Sequence, residues 1–468
     1  MSDIPDTGVF PSAERAAART RAPRIDDPVL LPGLTPGLLL DRVAAITMRE
    51  RAFLWWYLAL GPVVILLTML IVGLTWTFVR GPGVWGLNWP VMWGFAIINY
   101  VWWIGIGCGA LFISSVLHVT GAPWRAGISR LADCIALFAG AAGGIFPIVH
   151  LGRPWLFYWL FPYPNTMGYW PNWRSPLLWD FWGIISFLIV AASYWYLGLI
   201  PDFASLRDRA ATRGFRMIYG ILALGFDGSM RQWRHYQAAY GLLGVVALLA
   251  ACNTHSIAAL DFAGAATVGW HSTQMPPYFV FGAVLSGAAT ILLIGLPLRH
   301  VLRLGDVMTG RHIDMLGRIM IAASLLLCYS YAIEAFMSWY GADPAERTRF
   351  ADSAMGAYWY IYWGTILFNV VLPQFLWLAW VRMSRLCLMV ISFFVLVGMW
   401  MDPYKLIVAS LFRPRLPSAW GWYHGSWFDW LLLLGSIGFF FLLLLMAIRL
   451  LPIVNLAGVR SVIAGRRT

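Results

Sequence analysis

The chain has 468 residues, of which 60% are hydrophobic and 12% charged, with a mean hydropathy of +0.71. A soluble protein of this length could not cover that much apolar surface, so the soluble globular class is excluded. The formal charge of +12 comes from arginines and a single lysine, Lys405; its distribution along the chain accounts for it without a nucleic-acid partner.

In chain order, residues 1–52 are polar and rich in Pro and Arg. They lack the charged, then apolar, then small-residue pattern of a cleaved signal peptide, and they read as a cytoplasmic arm lying on partners or lipid headgroups. About ten segments then meet the ~20-residue length of a helix that crosses a bilayer. They are 53–79, 91–117, 128–150, 177–199, 236–259, 276–298, 316–340, 357–380, 385–401 and 428–451. Helices satisfy their own backbone hydrogen bonds in lipid, so the expected class is an all-α polytopic membrane protein. Spans 2–5 and 6–9 are expected to form two four-helix bundles, with spans 1 and 10 peripheral. The expected division is an arm (1–52), a peripheral helix and loop (53–90), a first bundle (91–259), a second bundle (260–427) and a last peripheral helix with its tail (428–468).

Small residues crowd three spans, as GIGCGA (105–110), GAAGG (140–144) and GAVLSGAA (282–289). Such runs let helices approach closely. The GxGxG within the first has no preceding strand and is not a nucleotide loop. When alternate connections are given to opposite sides, the two sides carry 25 and 8 of the 33 Lys and Arg residues. The positive-inside rule then makes both termini cytoplasmic in a bacterial inner membrane. The aromatic connections at 151–176, 259–275, 341–356 and 402–427 become periplasmic. The five cysteines are isolated within spans and none makes a CxxC; they cannot serve as a cluster-binding set and read as structural thiols.

Ionisable groups at span depth are costly, so each is a site candidate. FPIVHLGRPW (146–155) ends span 3 on His150 and Arg153, and PLLWD (176–180) opens span 4 with Asp180. His150 can simply rest on the negative end of its helix dipole, and Asp180 on a positive end. Both also lie among aromatics, with Trp155 and Trp179 beside them, where a base and a carboxyl can exchange protons. His255 and Asp261 close span 5; six residues apart, they do not stack on one helix face. Glu334 lies in span 7 near Tyr329, Ser330 and Tyr331, and Asp133 lies one turn inside span 3, where Arg130 is the plain partner. His118 and Asp402 sit at span ends and carry weaker signals.

An imidazole and a carboxylate beside apolar walls suit a quinol headgroup, whose hydroxyls need acceptors and whose oxidation releases protons. The eight histidines show no pair on one span at haem spacing, so haem, cluster and other metal centres are not expected in this chain, and the electrons need an external acceptor. A transporter would place its site at the midplane on interrupted helices, and a purely structural anchor would keep the fold without a site.

The runs HLGRPWLFYWLFPYPN, WPNWRSPLLWD, IPDFASLRD and GWHSTQMPPYFVFGA resemble the NrfD/polysulfide-reductase family of membrane subunits, most closely its ActC branch from alternative complex III. The resemblance spans roughly residues 40–455. It implies two four-helix bundles, a periplasmic-side quinol site at His150 and Asp180, and menaquinol or another quinol as substrate. It also implies an iron–sulfur partner subunit, multihaem c-type cytochromes, a homologous ActF-type subunit and a terminal oxidase or periplasmic carrier beyond them. The expected activity is quinol oxidation with proton release, with proton translocation left open. Arg153, Trp155 and Trp179 would line the headgroup, and His255, Asp261, Glu334 and Asp133 would carry protons. The alternative within the family is the quinone-reactive anchor of a molybdenum oxidoreductase.

Overall fold

A computed structural model describes residues 28–49, 52–162, 172–265, 267–341, 343–414 and 416–465. Most of the expected arm, residues 1–27, lies outside the described residues, as does 163–171 of the aromatic connection. Every regular element among the described residues is helical.

Helix α1 (Pro36–Thr47) is a surface helix whose first turn is capped by the Thr35 hydroxyl. The peripheral span α2 (Leu54–Arg80) is followed by α3 (Phe95–Val119), α4 (Ser129–His150) and α5 (Pro176–Arg209). A short helix, α6 (Arg213–Leu222), precedes α7 (Met230–Ala263), α8 (Met275–Val301) and α9 (Gly310–Tyr340). Next come α10 (Pro344–Met355) and α11 (Trp359–Ile366). A π turn (Leu367–Val371) continues α11 into α12 (Leu372–Gln374), and α13 (Ala379–Met383) follows. The last elements are α14 (Arg385–Leu411), α15 (Trp427–Leu450) and α16 (Leu456–Ile463). Nine of these helices are long and apolar enough to cross a membrane. The interrupted run from α11 to α13 stands where the eighth of about ten spans is expected.

Helix α3 packs on α4 and α7, and α5 closes the ring between them. Helix α8 packs on α9 and α14, with α11, the π turn and α12 filling the remaining side. The rings meet where α3 lies against α8, and α2 and α15 pair outside them. The meeting point joins two of the small-residue runs seen in the sequence. A Cβ on Gly109 would collide with the Ala283 carbonyl, and one on Gly287 with the backbone at Gly109. Without a hydrophobic driving force between helices in lipid, such close backbone packing holds the rings together.

Three boundaries differ from the sequence expectation. Helix α5 runs through Pro201 to Arg209, and α7 begins at Met230. Most of the connection expected at 200–235 is therefore helix. Helix α14 continues to Leu411, which puts Asp402 and Lys405 inside a helix rather than in a loop. The 341–356 stretch forms α10, with Asp343 capping its start. In each case a hydropathy window stops where polar residues begin, but the backbone stays helical as long as its hydrogen bonds and tertiary partners persist.

The crossing yields a direct test. Gly109→Ala should cost about 1–3 kcal/mol or more through overpacking, lowering the melting temperature and yield in detergent. Gly144→Ala, whose added methyl meets only Ile184 and Leu188 side chains at 3.7–3.8 Å, should be tolerated.

Candidate functional site

Of the connections at one end of the rings, those between α2 and α3, α4 and α5, and α14 and α15 are rich in tryptophan, and that between α7 and α8 carries Trp270. The opposite end carries most of the arginines. Asp180 sits in the second turn of α5 at the Trp-rich end and is 6% exposed. Thr254 of α7 donates its hydroxyl to the Gly183 carbonyl at 3.2 Å. Seven residues, or two helical turns, beyond Thr254 on the same face lies Asp261, which this packing brings close enough to Asp180 for the two carboxyls to interact. From α3, Tyr100 donates its hydroxyl to Asp180 Oδ1 at 2.5 Å.

Two carboxyls in contact become a hydrogen-bonded pair only when one of them carries a proton. Among the described residues no Lys, Arg or His forms a salt bridge with either of them. Like charges buried together without a cation repel, so the pair shares a proton rather than holding two negative charges. Such a pair, with a tyrosine hydroxyl beside it, can accept one proton and offer both a donor and an acceptor to a bound ligand.

His150 ends α4 at the same end. Its ring stacks on Trp85, with centroids 5.9 Å apart and planes 5° from parallel. Trp85 is fixed by its Nε1 donating to the Thr77 hydroxyl at 3.2 Å. His150 Nδ1 is buried without a hydrogen-bond partner. Asp180 accepts from Tyr100 and has Asp261 as its neighbouring carboxyl. Just beyond His150, Arg153 lines an open cleft of about 530 Å³ with Leu151, Leu156, Trp159 and Leu160. Trp155 is 59% exposed and Trp179 40% exposed; Trp179 donates to the Trp173 carbonyl at 2.6 Å. Phe161 packs edge-on against Phe181 and Trp182, folding the connection over the start of α5.

The four residues expected to carry protons separate. Asp261 belongs with Asp180. His255 turns to another face of α7, where its ring packs against Phe279 and Gly105. Asp133 lies toward the Arg-rich end, accepting from the Ser114 hydroxyl at 2.6 Å. Its plain partner Arg130 is taken instead by Asp202 at 2.7 Å. Glu334 pairs with Lys405 at 3.2 Å and Arg349 at 3.4 Å. Lys405 is buried, lies 3.5 Å from Asp402 Oδ1 and sits 4.5 Å above the Tyr331 ring. The Tyr278 hydroxyl donates to Asp402 Oδ2. Sequence reasoning missed Tyr100 and Lys405. The one available signal was that Lys405, the only lysine, stands one turn from Asp402. Among the described residues no group of three or more His, Cys, Asp or Glu side chains is placed to hold a metal ion.

The fold and these buried polar clusters define a multi-pass membrane protein with an ionisable site at one end of its first helical ring. Residues 83–414 match the family described as Polysulphide reductase, NrfD, and the chain belongs to that family. It is 25% identical over 382 residues to the C subunit of the selenate reductase of Mesobacillus selenatarsenatis, covering 78% of this chain and 86% of that one. It is also 29% identical over 236 residues, half of each chain, to the membrane C subunit of a putative dimethyl sulfoxide reductase of Halobacterium salinarum.

The shared proton is open to infrared spectroscopy. The difference spectrum between the unsubstituted protein and Asp261→Asn should contain the carbonyl stretch of a protonated carboxylic acid. Tyr100→Phe should shift that band without removing it. Identical spectra in the acid region would rule out the shared proton.

Proposed function

We propose that this chain is the quinone-reactive membrane subunit of an oxidoreductase complex. It oxidises quinol at the Trp-rich end and passes the electrons to an iron–sulfur subunit docked there. The observation that carries this reading is the pair of buried Asp180 and half-buried Asp261, with the Tyr100 hydroxyl on Asp180, beneath an exposed aromatic connection. Quinol loses two electrons and two protons. The carboxyl pair can accept one proton, and the His150 imidazole, whose Nδ1 has no hydrogen-bond partner, provides a second acceptor. Arg153 lines a cleft at the same end whose volume falls within the usual range of ligand sites, and Trp155 and Trp179 are exposed there. Because the arginines concentrate at the opposite end, that end faces the cytoplasm with both termini, and the quinol site faces the periplasm of an inner membrane.

Protons leave through Asp261 and His255 in this reading. Glu334 tunes the route from within its ion pairs, and Asp133 marks the opposite end of the first ring. The names of the two reductase relatives support a partner of the molybdenum-reductase type. The reading as a subunit of alternative complex III, with multihaem cytochromes and an ActF-type sister, has the resemblance of HLGRPW and SPLLWD in its favour and differs in what receives the electrons.

Asp180→Asn and His150→Ala should each lower quinol oxidation by the assembled complex on the order of 10²-fold or more, as loss of a general base does. Turnover near the unsubstituted rate in both would defeat the site. Affinity purification of the tagged chain from its native membrane decides the partner. Recovery of a molybdenum-containing reductase with an iron–sulfur subunit supports the first reading, multihaem cytochromes support the second, and purification as a lone active solute carrier would overturn both.

A further inference from the structure

Between the two rings, at the level of His255, lies a cavity of about 20 Å³. Gly105, His255, Tyr278, Ser286, Met399 and Asp402 contribute to its wall. His255 comes from the first ring, and Tyr278, Ser286 and Asp402 from the second. The volume is that of one water molecule, and a buried water needs two to four polar partners. The wall supplies them. His255 is 3% exposed and its Nδ1 has no hydrogen-bond partner. The Nε2 edge of its ring faces Gly105, since a methyl there would lie 3.4 Å from Cε1 and Nε2. Asp402 is 5% exposed, and its Oδ1 accepts no hydrogen bond, the nearest cation being Lys405 Nζ at 3.5 Å. Its Oδ2 is occupied by the Tyr278 hydroxyl. Ser286 gives its proton to the Gly282 carbonyl and keeps an oxygen that can accept. Two buried residues on opposite rings line one water-sized space, His255 with an unpartnered Nδ1 and Asp402 with an Oδ1 that has only the Lys405 ion pair.

We infer that this cavity is a specific water site, in which one molecule bonds to the His255 ring and the Asp402 carboxyl and forms the proton connection between the two rings. A proton given to the water by one group is matched by one passed from the water to the other, and no electrons move. The connection reaches from His255, on a different face of α7 from Asp261, to the Asp402–Lys405–Glu334 cluster. The water site stands on geometry alone; its use for protons rests on the quinol reading above.

Gly105→Ala separates these claims, because its methyl would meet the His255 ring at 3.4 Å on the cavity wall and the substitution removes no ionisable group. In an electron cryomicroscopy map of the complex that resolves ordered water, the unsubstituted protein should show density within hydrogen-bonding distance of His255 and Asp402. Gly105→Ala should lack it. A map in which the cavity is dry, or in which His255 bonds Asp402 directly, overturns the site. In proteoliposomes, quinol oxidation with an artificial acceptor should stay within about twofold in Gly105→Ala, while protons moved across the membrane per electron fall at least severalfold. An unchanged proton-to-electron ratio overturns the connection even where the water is seen. If the unsubstituted complex oxidises no quinol, the functional reading fails and the map still decides the water.

Discussion

The close crossing of α3 and α8 at Gly109 and Gly287 is the constraint on which the remaining geometry depends. Only glycine permits backbones to meet there. Because α3 is shared by the first ring and the joint, its side chains toward the Trp-rich end are held in fixed directions. Tyr100 reaches across the ring to Asp180. Trp102 and Trp103 bond outward, to the Leu396 carbonyl at 3.0 Å and the Ser436 hydroxyl at 2.9 Å. The same closeness sets His255 of one ring beside Phe279 of the other. A wider separation would leave Asp180 without its tyrosine and merge the inter-ring space into a larger void.

The charges follow a division of labour. Toward the Arg-rich end, acids are neutralised by arginines: buried Asp202 by Arg130, buried Asp314 by Arg382 at 2.6 Å, and half-buried Asp306 by Arg42 at 2.9 Å. Breaking such a buried pair leaves an uncompensated charge and typically costs about 3–5 kcal/mol, so these residues read as architecture. Asp202 also accepts from the backbone N–H groups of Leu456 and Ala457, tying the chain's last helix to the first ring. Asp180 and Asp261 are arranged in the contrary way, acid against acid. A fold that neutralises Asp202 and Asp314 with arginines and leaves two acids together at the other end has a reason beyond stability.

The fold class was legible in the sequence because hydropathy and span length are local properties. The end carrying His150, Asp180 and the tryptophans was legible for the same reason. What brings Asp261 to Asp180 was not, because the face that α7 turns toward α5 is set by the Thr254–Gly183 contact, 71 residues apart in the chain. The six-residue separation of His255 and Asp261 shows that they face different neighbours, but not which ones. Lys405 reads as a loop charge in the sequence because a polar DPYK interrupts the apolar run. In the folded chain α14 passes through Pro403 without stopping, and the lysine is neutralised inside by Glu334 and Asp402.

Helix α6 bears on how the molecule sits in its bilayer. It exposes Met217, Ile218 and Ile221 beside Arg213 and Arg216, and anchors through buried Tyr219, whose hydroxyl reaches the Leu450 carbonyl at the end of α15 at 3.3 Å. A short helix of this make-up lies flat at the headgroup boundary. The nine long helices range from 22 to 34 residues, so their lengths alone define no common waterline. The flat helix does, because it is fastened to the last span and floats at one depth. A bilayer of altered thickness would meet its resistance here first, making lipid chain length a variable to which this protein responds by tilt rather than by sinking.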